Sequence, residues 1–259
     1  MTSGATDGLT DQRTSLVGVV LAAGVGTRLR PLTSRRPKAL CPVGDCPLVD
    51  HAVDRLAPVT TAAAVNVHHG RRAMEEHLAG RVHLSVEEGG PLGTAGALGH
   101  LRGWLDGRPV LVTNVDAWAQ PDLAGFVAGW DGERTRLLLA GVDELQPSSG
   151  VVAALMPWTE VAVLSSEPAG LYEISWRAAA GAGRLEVVRH DGRFIDCGTP
   201  RDYLAANLDW SGGAPVVGAG ARVRGTLLRS VVWPGAVVHR GEDLVDAIRL
   251  DDRFTVLVR

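Results

Sequence analysis

The residues that most restrict the fold of this chain are LVGVVLA, 16–22, an unbroken apolar run rich in β-branched side chains and closed by a glycine turn. Such a run, with no polar alternation, suits a strand buried on both faces, and strands of that kind belong to parallel sheets covered by helices. The pattern repeats along the chain. A helix is predicted from Pro47 to Leu56, a strand at 62–68, a helix at 71–78 and a strand at 82–87; a second glycine-rich stretch (87–98) leads through a helix to Trp104, and a strand follows at 109–116. This alternation implies an α/β fold, a three-layer sandwich with a mainly parallel, mixed central sheet of Rossmann-like, nucleotide-binding type. Ligands of such sheets sit outside the carboxyl ends of the strands, where Gly24, Glu87 and Asp116 fall.

Beyond residue 140 the signals shorten. Residues 151–155 and 161–164 read as short strands, 171–179 as helical, two stretches within 184–197 as strands, and Pro200–Leu208 as a helix with proline at its favoured first position. From Pro215 to Val238 small and branched apolar residues recur about every six positions, as in the coils of a left-handed β-helix. The expected organisation is a disordered leader at 1–15, a main domain at 16–210, and a short β-helix-like tail at 211–259 that packs on the main domain or on a partner subunit, as in a homodimer.

Composition narrows the partners. A net charge of -3 with scattered arginines argues against nucleic-acid binding. No apolar run is long enough to span a bilayer and the N-terminus lacks a signal-peptide core, so no membrane partner and a cytoplasmic location are expected. Cys41, Cys46 and Cys197 cannot all pair, and they lack the spacing of a structural zinc site; free thiols are expected.

Of the 26 basic side chains only Lys38 is lysine. Guanidinium is a planar fork, whereas ammonium is a compact point charge that can follow a phosphate oxygen. Lys38 stands shortly after the turn Gly24-Val25-Gly26-Thr27-Arg28, whose missing Cβ atoms let backbone N–H groups approach phosphates. Lys38 is therefore expected to be a phosphate ligand; a solvated surface lysine beside an ordinary tight turn is the alternative. Neither common phosphate motif applies, because the dinucleotide fingerprint wants glycine where Leu29 stands and the P-loop wants a GK[ST] ending.

The whole string LAAGVGTRLRPLTSRRPKAL, 21–40, continued by Cys41-Pro42-Val43, resembles the signature of the sugar-1-phosphate nucleotidyltransferases. The likeness extends more sparsely through VNVHH, PLGTAGAL, TNVDAW and FIDCGTP, over residues 16–210. The resemblance implies nucleotidyl transfer from a nucleoside triphosphate to a sugar 1-phosphate with Mg²⁺. It also implies roles. Arg28 and Lys38 would be catalytic, with Arg28 on the leaving pyrophosphate and Lys38 on the α-phosphate. Leu21, Ala22, Ala23, Gly24, Gly26, Thr27, Glu88, Gly93, Thr94, Ala95 and Asn114 would hold the nucleotide. Asn66, His68, Trp118, Gly150 and Glu173 would face the sugar, with His69 nearby, and Asp116 and Asp196 would bind the metal. Asp116 could instead cap a helix and Asp196 could serve a turn.

Two departures stand out. Val115 occupies the place of the family's usual glycine before the metal aspartate, and the second lysine that many members use on the sugar phosphate is missing, leaving Arg177, Arg134 or Arg136 as substitutes. PLGTAGAL resembles the guanylyltransferases that make GDP-mannose, so GTP with mannose 1-phosphate is the first expectation. VNVHH and VDAW resemble the uridylyltransferases of N-acetylmuramic acid 1-phosphate, so UTP with an amino sugar is the second. A catalytically silent homologue that binds a nucleotide sugar and regulates a partner is the third.

Overall fold

The computed structural model describes residues 16–258; the leader expected at 1–15 lies outside the described residues. Seven strands make the main sheet: β1 Val17–Leu21, β2 Ala63–Val67, β3 His83–Val86, β4 Val110–Asn114, β5 Thr135–Ala140, β6 Val151–Met156 and β7 Leu185–His190. Their order is β7-β5-β6-β4-β1-β2-β3. All neighbours are parallel except β6, which runs antiparallel to both β4 and β5. The central strands β1 and β4 are almost wholly buried, as their unbroken apolar sequence requires.

Helices follow most strands: α1 Leu48–Leu56, α2 Arg71–Leu78 and α3 Gly93–His100 among them. Helix α2 turns Met74 and Leu78 inward while Arg71–Glu75 and Arg72–Glu76 ion pairs lace its outer face at i,i+4 spacing. Under the sheet, Val17, Val19, Leu98, Val112, Leu137, Ala154 and Trp176 belong to one apolar core.

Two sequence expectations are corrected. Residues 161–164 do not form a strand; Trp158–Val161 is a short helix that begins after Pro157, the favoured place for helix initiation, and the chain then turns. The strand β5 and the helix Leu123–Ala128 have no counterpart in the sequence reading, although TRLLLA is as apolar as β1 and Asp122 caps the helix by accepting from Gly125 N.

The chain divides into two compact units. The first holds the described residues to Gly24 with 52–115 and 119–194, and contains the seven-stranded sheet. The second holds 25–51, 116–118 and 195–258, and is organised around the helix Pro200–Trp210. There Tyr203 is fully buried; its hydroxyl donates to the Pro42 carbonyl and accepts from Trp233 Nε1 at 2.9 Å. Burial holds the Tyr203 phenol well above its usual pKa, so it remains a donor. Asn207 accepts from Gly44 N at 3.0 Å. The tail is built of short parallel pairs, Val216–Val217 with Val231–Val232, Arg222–Val223 with Val237–Val238, and Thr226–Leu228 with Asp243–Val245. These pairs fall in three small sheets.

Candidate active site

In the second unit the glycine turn and Lys38 are built by successive tight turns. Gly26 has φ 67°, and a Cβ there would come within 3.0 Å of both Lys38 Cβ and Thr33 Cγ2, so glycine is required on two counts. Thr33 Oγ1 donates to the Gly26 carbonyl at 3.0 Å and closes the loop. Thr27 and Arg28 are exposed at its surface. Lys38 opens a 3₁₀ turn, Lys38–Leu40, and its side chain is only 9% exposed.

Two carboxylates converge on that ammonium. Lys38 Nζ lies 2.5 Å from Asp116 Oδ2 and 4.0 Å from Asp196 Oδ1, while Arg28 Nη2 lies 3.3 Å from Asp196 Oδ2. The Cys197 amide donates to the Asp116 carbonyl at 2.9 Å and links the two acidic segments. Asp116 is therefore no helix cap, and Asp196 ends the strand Phe194–Asp196 with its carboxylate turned to the cations. The donor set suits Mg²⁺, which is held by one or two carboxylates together with substrate phosphates rather than by a closed protein cage. No group of three or more His, Cys, Asp or Glu able to hold a metal occurs among the described residues. Burial pushes the Cys41 thiol up to about 12 and raises that of Cys197 further, the nearby Asp116 adding to the second shift. None of the three cysteines is in a disulfide.

In the first unit, strand ends carry a different kind of site. Asn66 is buried: its Oδ1 accepts from Ala22 N at 2.6 Å, and its Nδ2 donates to Glu87 Oε1 at 2.7 Å. Glu87 Oε2 in turn accepts from Leu92 N at 2.8 Å. Asn66 thus ties the LAAG turn to the PLGTAG loop, a positioning task. Sequence reading chose Glu88, which is exposed and lies 3.5 Å from Arg71, whereas the anchor is Glu87, 2% exposed. The signal that separates the adjacent glutamates is strand alternation: Ser85 and Glu87 share the buried parity of β3. His68 Nδ1 pairs with the Glu87 carbonyl at 2.7 Å, and His69 is exposed.

The glycines of PLGTAGALG serve packing. A Cβ on Gly93, Gly96 or Gly99 would come within 2.5 Å of the carbonyls of Ala169, Glu167 and Ser165, so one face of α3 lies directly on the backbone of 165–169. Ala95 is buried and its N–H donates to the Ala169 carbonyl at 2.9 Å. Thr94 Oγ1 accepts from Leu171 N at 2.8 Å.

Thr94 also borders a cavity of about 190 Å³, lined by Leu21, Val112, Thr113, Asn114, Val151, Ala154, Gly170, Leu171, Tyr172, Glu173 and Trp176. Its walls are mostly apolar, with Asn114 and Glu173 as polar points. A π-helical turn, Tyr172–Trp176, brings Tyr172, Glu173 and Trp176 to it, a wide turn of the sort concentrated at functional sites. Tyr172 and Trp176 were not foreseen, because nothing in a linear pattern announces a π turn. Ala22 and Ala23 are buried beneath the end of β1, and Gly24 is exposed with open space around it. Gly150 stands beside Val151, and a Cβ there would lie 2.7 Å from the Phe194 ring.

Trp118 is 5% exposed, donates to Asp209 Oδ2 at 2.8 Å and meets His51 edge to face, so it packs within the second unit. Of the arginines offered for the missing lysine, Arg136 is buried against Glu186 and the Phe126 carbonyl, and Arg134 is bound to Asp131. Arg177 is exposed on the short helix Arg177–Gly181.

The family model for Nucleotidyl transferase matches residues 17–154, more than half of the chain, and spans both the glycine turn and the acidic end of β4. This chain belongs to the nucleotidyl transferase family. An N-acetylmuramate alpha-1-phosphate uridylyltransferase of Caulobacter vibrioides is 33% identical over 229 aligned positions, covering 73% of this chain and 95% of that protein. A probable mannose-1-phosphate guanylyltransferase 3 of Oryza sativa subsp. japonica is 28% identical over 227 positions, covering 72% of this chain but only 62% of the rice protein. A crystal structure of a putative glucose-1-phosphate thymidylyltransferase from Bacillus anthracis superposes with a TM-score of 0.60 at 20% identity, over 74% of this chain and 94% of that one. This nucleotidyltransferase is a sugar-phosphate enzyme of the class that makes nucleotide sugars from a nucleoside triphosphate and a sugar 1-phosphate. The family is typically Mg-dependent. No helix among the described residues is long and apolar enough to cross a membrane.

Proposed function

We propose that this nucleotidyltransferase joins UTP to N-acetylmuramic acid 1-phosphate, giving the UDP-sugar and pyrophosphate. The observation that carries the substrate choice is the match to the Caulobacter uridylyltransferase, at 33% identity over 95% of that protein, against 28% identity over 62% of the rice guanylyltransferase. The sequence-based preference for GTP and mannose 1-phosphate gives way accordingly. Gly93 and Gly96 of the PLGTAG loop, on which that preference leaned, pack against the backbone carbonyls of Ala169 and Glu167.

The chemistry is an in-line displacement. A phosphate oxygen of the sugar 1-phosphate attacks the α-phosphorus of UTP, one P–O bond forms, and the bond to the β-phosphate oxygen breaks as pyrophosphate leaves. The attacking phosphate is already ionised at neutral pH, so positioning and electrostatics supply the rate. Lys38 would neutralise the α-phosphate and Arg28 the departing pyrophosphate. Asp116 and Asp196 would hold Mg²⁺, which when bound screens the repulsion between phosphates. The glycine turn would present N–H groups to the triphosphate, and the cavity of the sheet unit would receive the sugar, with Glu173 and Asn114 reading its hydroxyl groups. Arg177 remains the candidate for the sugar phosphate.

Pyrophosphate release from a matrix of four nucleoside triphosphates and a panel of sugar 1-phosphates, with Mg²⁺, tests the proposal. The pair of UTP and N-acetylmuramic acid 1-phosphate should give the highest kcat/KM. A higher value for GTP with mannose 1-phosphate would restore the other assignment, and release with no pair would favour a silent binding protein.

A further inference from the structure

Building on the metal-ligand reading just proposed, we infer that the Lys38 ammonium is the resident counter-cation of the Asp116–Asp196 site, held there until a divalent ion takes its carboxylates and frees it for the nucleotide phosphates. The closest ion pair of the cluster is not between an acid and a solvated arginine but between Asp116 and this nine-tenths-buried lysine, at 2.5 Å, with Asp196 at 4.0 Å. A divalent ion that uses the same oxygens competes with the ammonium for them. Displacing it alone leaves a buried charge without a partner, which is costly. The lysine stem lies across Gly26, with 3.0 Å from a Cβ built there to Lys38 Cβ and 3.4 Å to Cδ, so a freed ammonium stays beside the glycine turn. Phosphate oxygens on that turn are the compensating anion. Metal and nucleoside triphosphate should therefore bind with positive coupling, each improving the other by the same factor. The metal alone should bind poorly. Arg28, 3.3 Å from Asp196, is a second but far more exposed competitor and contributes less.

The test is Mn²⁺ binding, read from the paramagnetic resonance of free ion and corrected for ion held by free nucleotide, with and without α,β-methylene UTP or its GTP counterpart. In the wild type the better analogue should tighten Mn²⁺ about 10-fold or more, and Lys38→Met should bind Mn²⁺ alone about 10-fold tighter than wild type with most of the coupling gone. If Lys38→Met gains no Mn²⁺ affinity while Asp116→Asn still abolishes binding, the counter-cation role is overturned and the metal site stands. If Asp116→Asn binds Mn²⁺ as the wild type does, the metal site itself is wrong and the inference falls with it. Because Lys38 is the only lysine, protein labelled with ¹³Cε,¹⁵Nζ-lysine gives one side-chain resonance, which needs no variant to fold. That resonance should move when Mg²⁺ and the analogue are added together; a resonance unchanged at saturation would refute the exchange.

Discussion

The charged cluster around Lys38 and the cavity beside β4 are built on opposite principles. In the cluster, four ionic side chains from residues 28, 38, 116 and 196 satisfy one another within 4.0 Å. In the cavity, mostly apolar walls carry a few polar groups, Asn114 and Glu173 among them. An arrangement of the first kind responds to a ligand's charge; one of the second kind responds to its shape. On the function proposed above, the difference assigns the chemistry common to the family to the cluster and the choice of sugar to the cavity, and substitutions should separate them.

The sharpest break is Lys38→Ala. Loss of one preorganised charge at the reacting centre should lower kcat by about 10²-fold or more. Lys38→Arg should recover little, because a fork does not replace a point charge. Steady-state pyrophosphate release measures both. In the cavity, Glu173→Ala should raise KM for the sugar 1-phosphate about 10-fold, the worth of one hydrogen bond to a charged group, and leave KM for UTP unchanged. A parallel rise in both constants would mean that the two regions are not separable.

A smaller effect tests the scaffold. Asn66→Ala removes a donor from buried Glu87 and an acceptor from Ala22 N, and should cost about 2 kcal/mol in chemical denaturation. Glu88→Gln, one residue along the chain and exposed, should be neutral within about 0.5 kcal/mol. Least perturbing of all is a thiol count. Cys41 and Cys197 are buried with raised pKa values and so remain protonated thiols at pH 8, where Cys46 should react first with an aromatic disulfide reagent. One thiol should titrate in the folded protein and three after unfolding.

Much of this protein was legible before any coordinates. The unbroken apolar strands β1 and β4 specify burial on both faces, and the string over 21–43 marks the family. Less legible is what happens where two residues of like chemistry are neighbours or where a side chain has two possible clients. Glu87 and Glu88 differ only in strand parity. Trp118 stands two positions from Asp116 in the sequence but donates its N–H to Asp209, 91 positions away.

What the sequence determined by itself, then, is the alternation of elements, the family and the inventory of charges, because periodicity and local turn chemistry are properties of neighbours in the chain. What only the tertiary structure decided is who meets whom. Lys38 and Asp116 are 78 positions apart and Asn66 and Glu87 are 21 apart. Their pairing depends on strand order and register, and a buried charge or amide takes whichever partner the packed fold brings within hydrogen-bond distance, since leaving it unpaired is the costlier state.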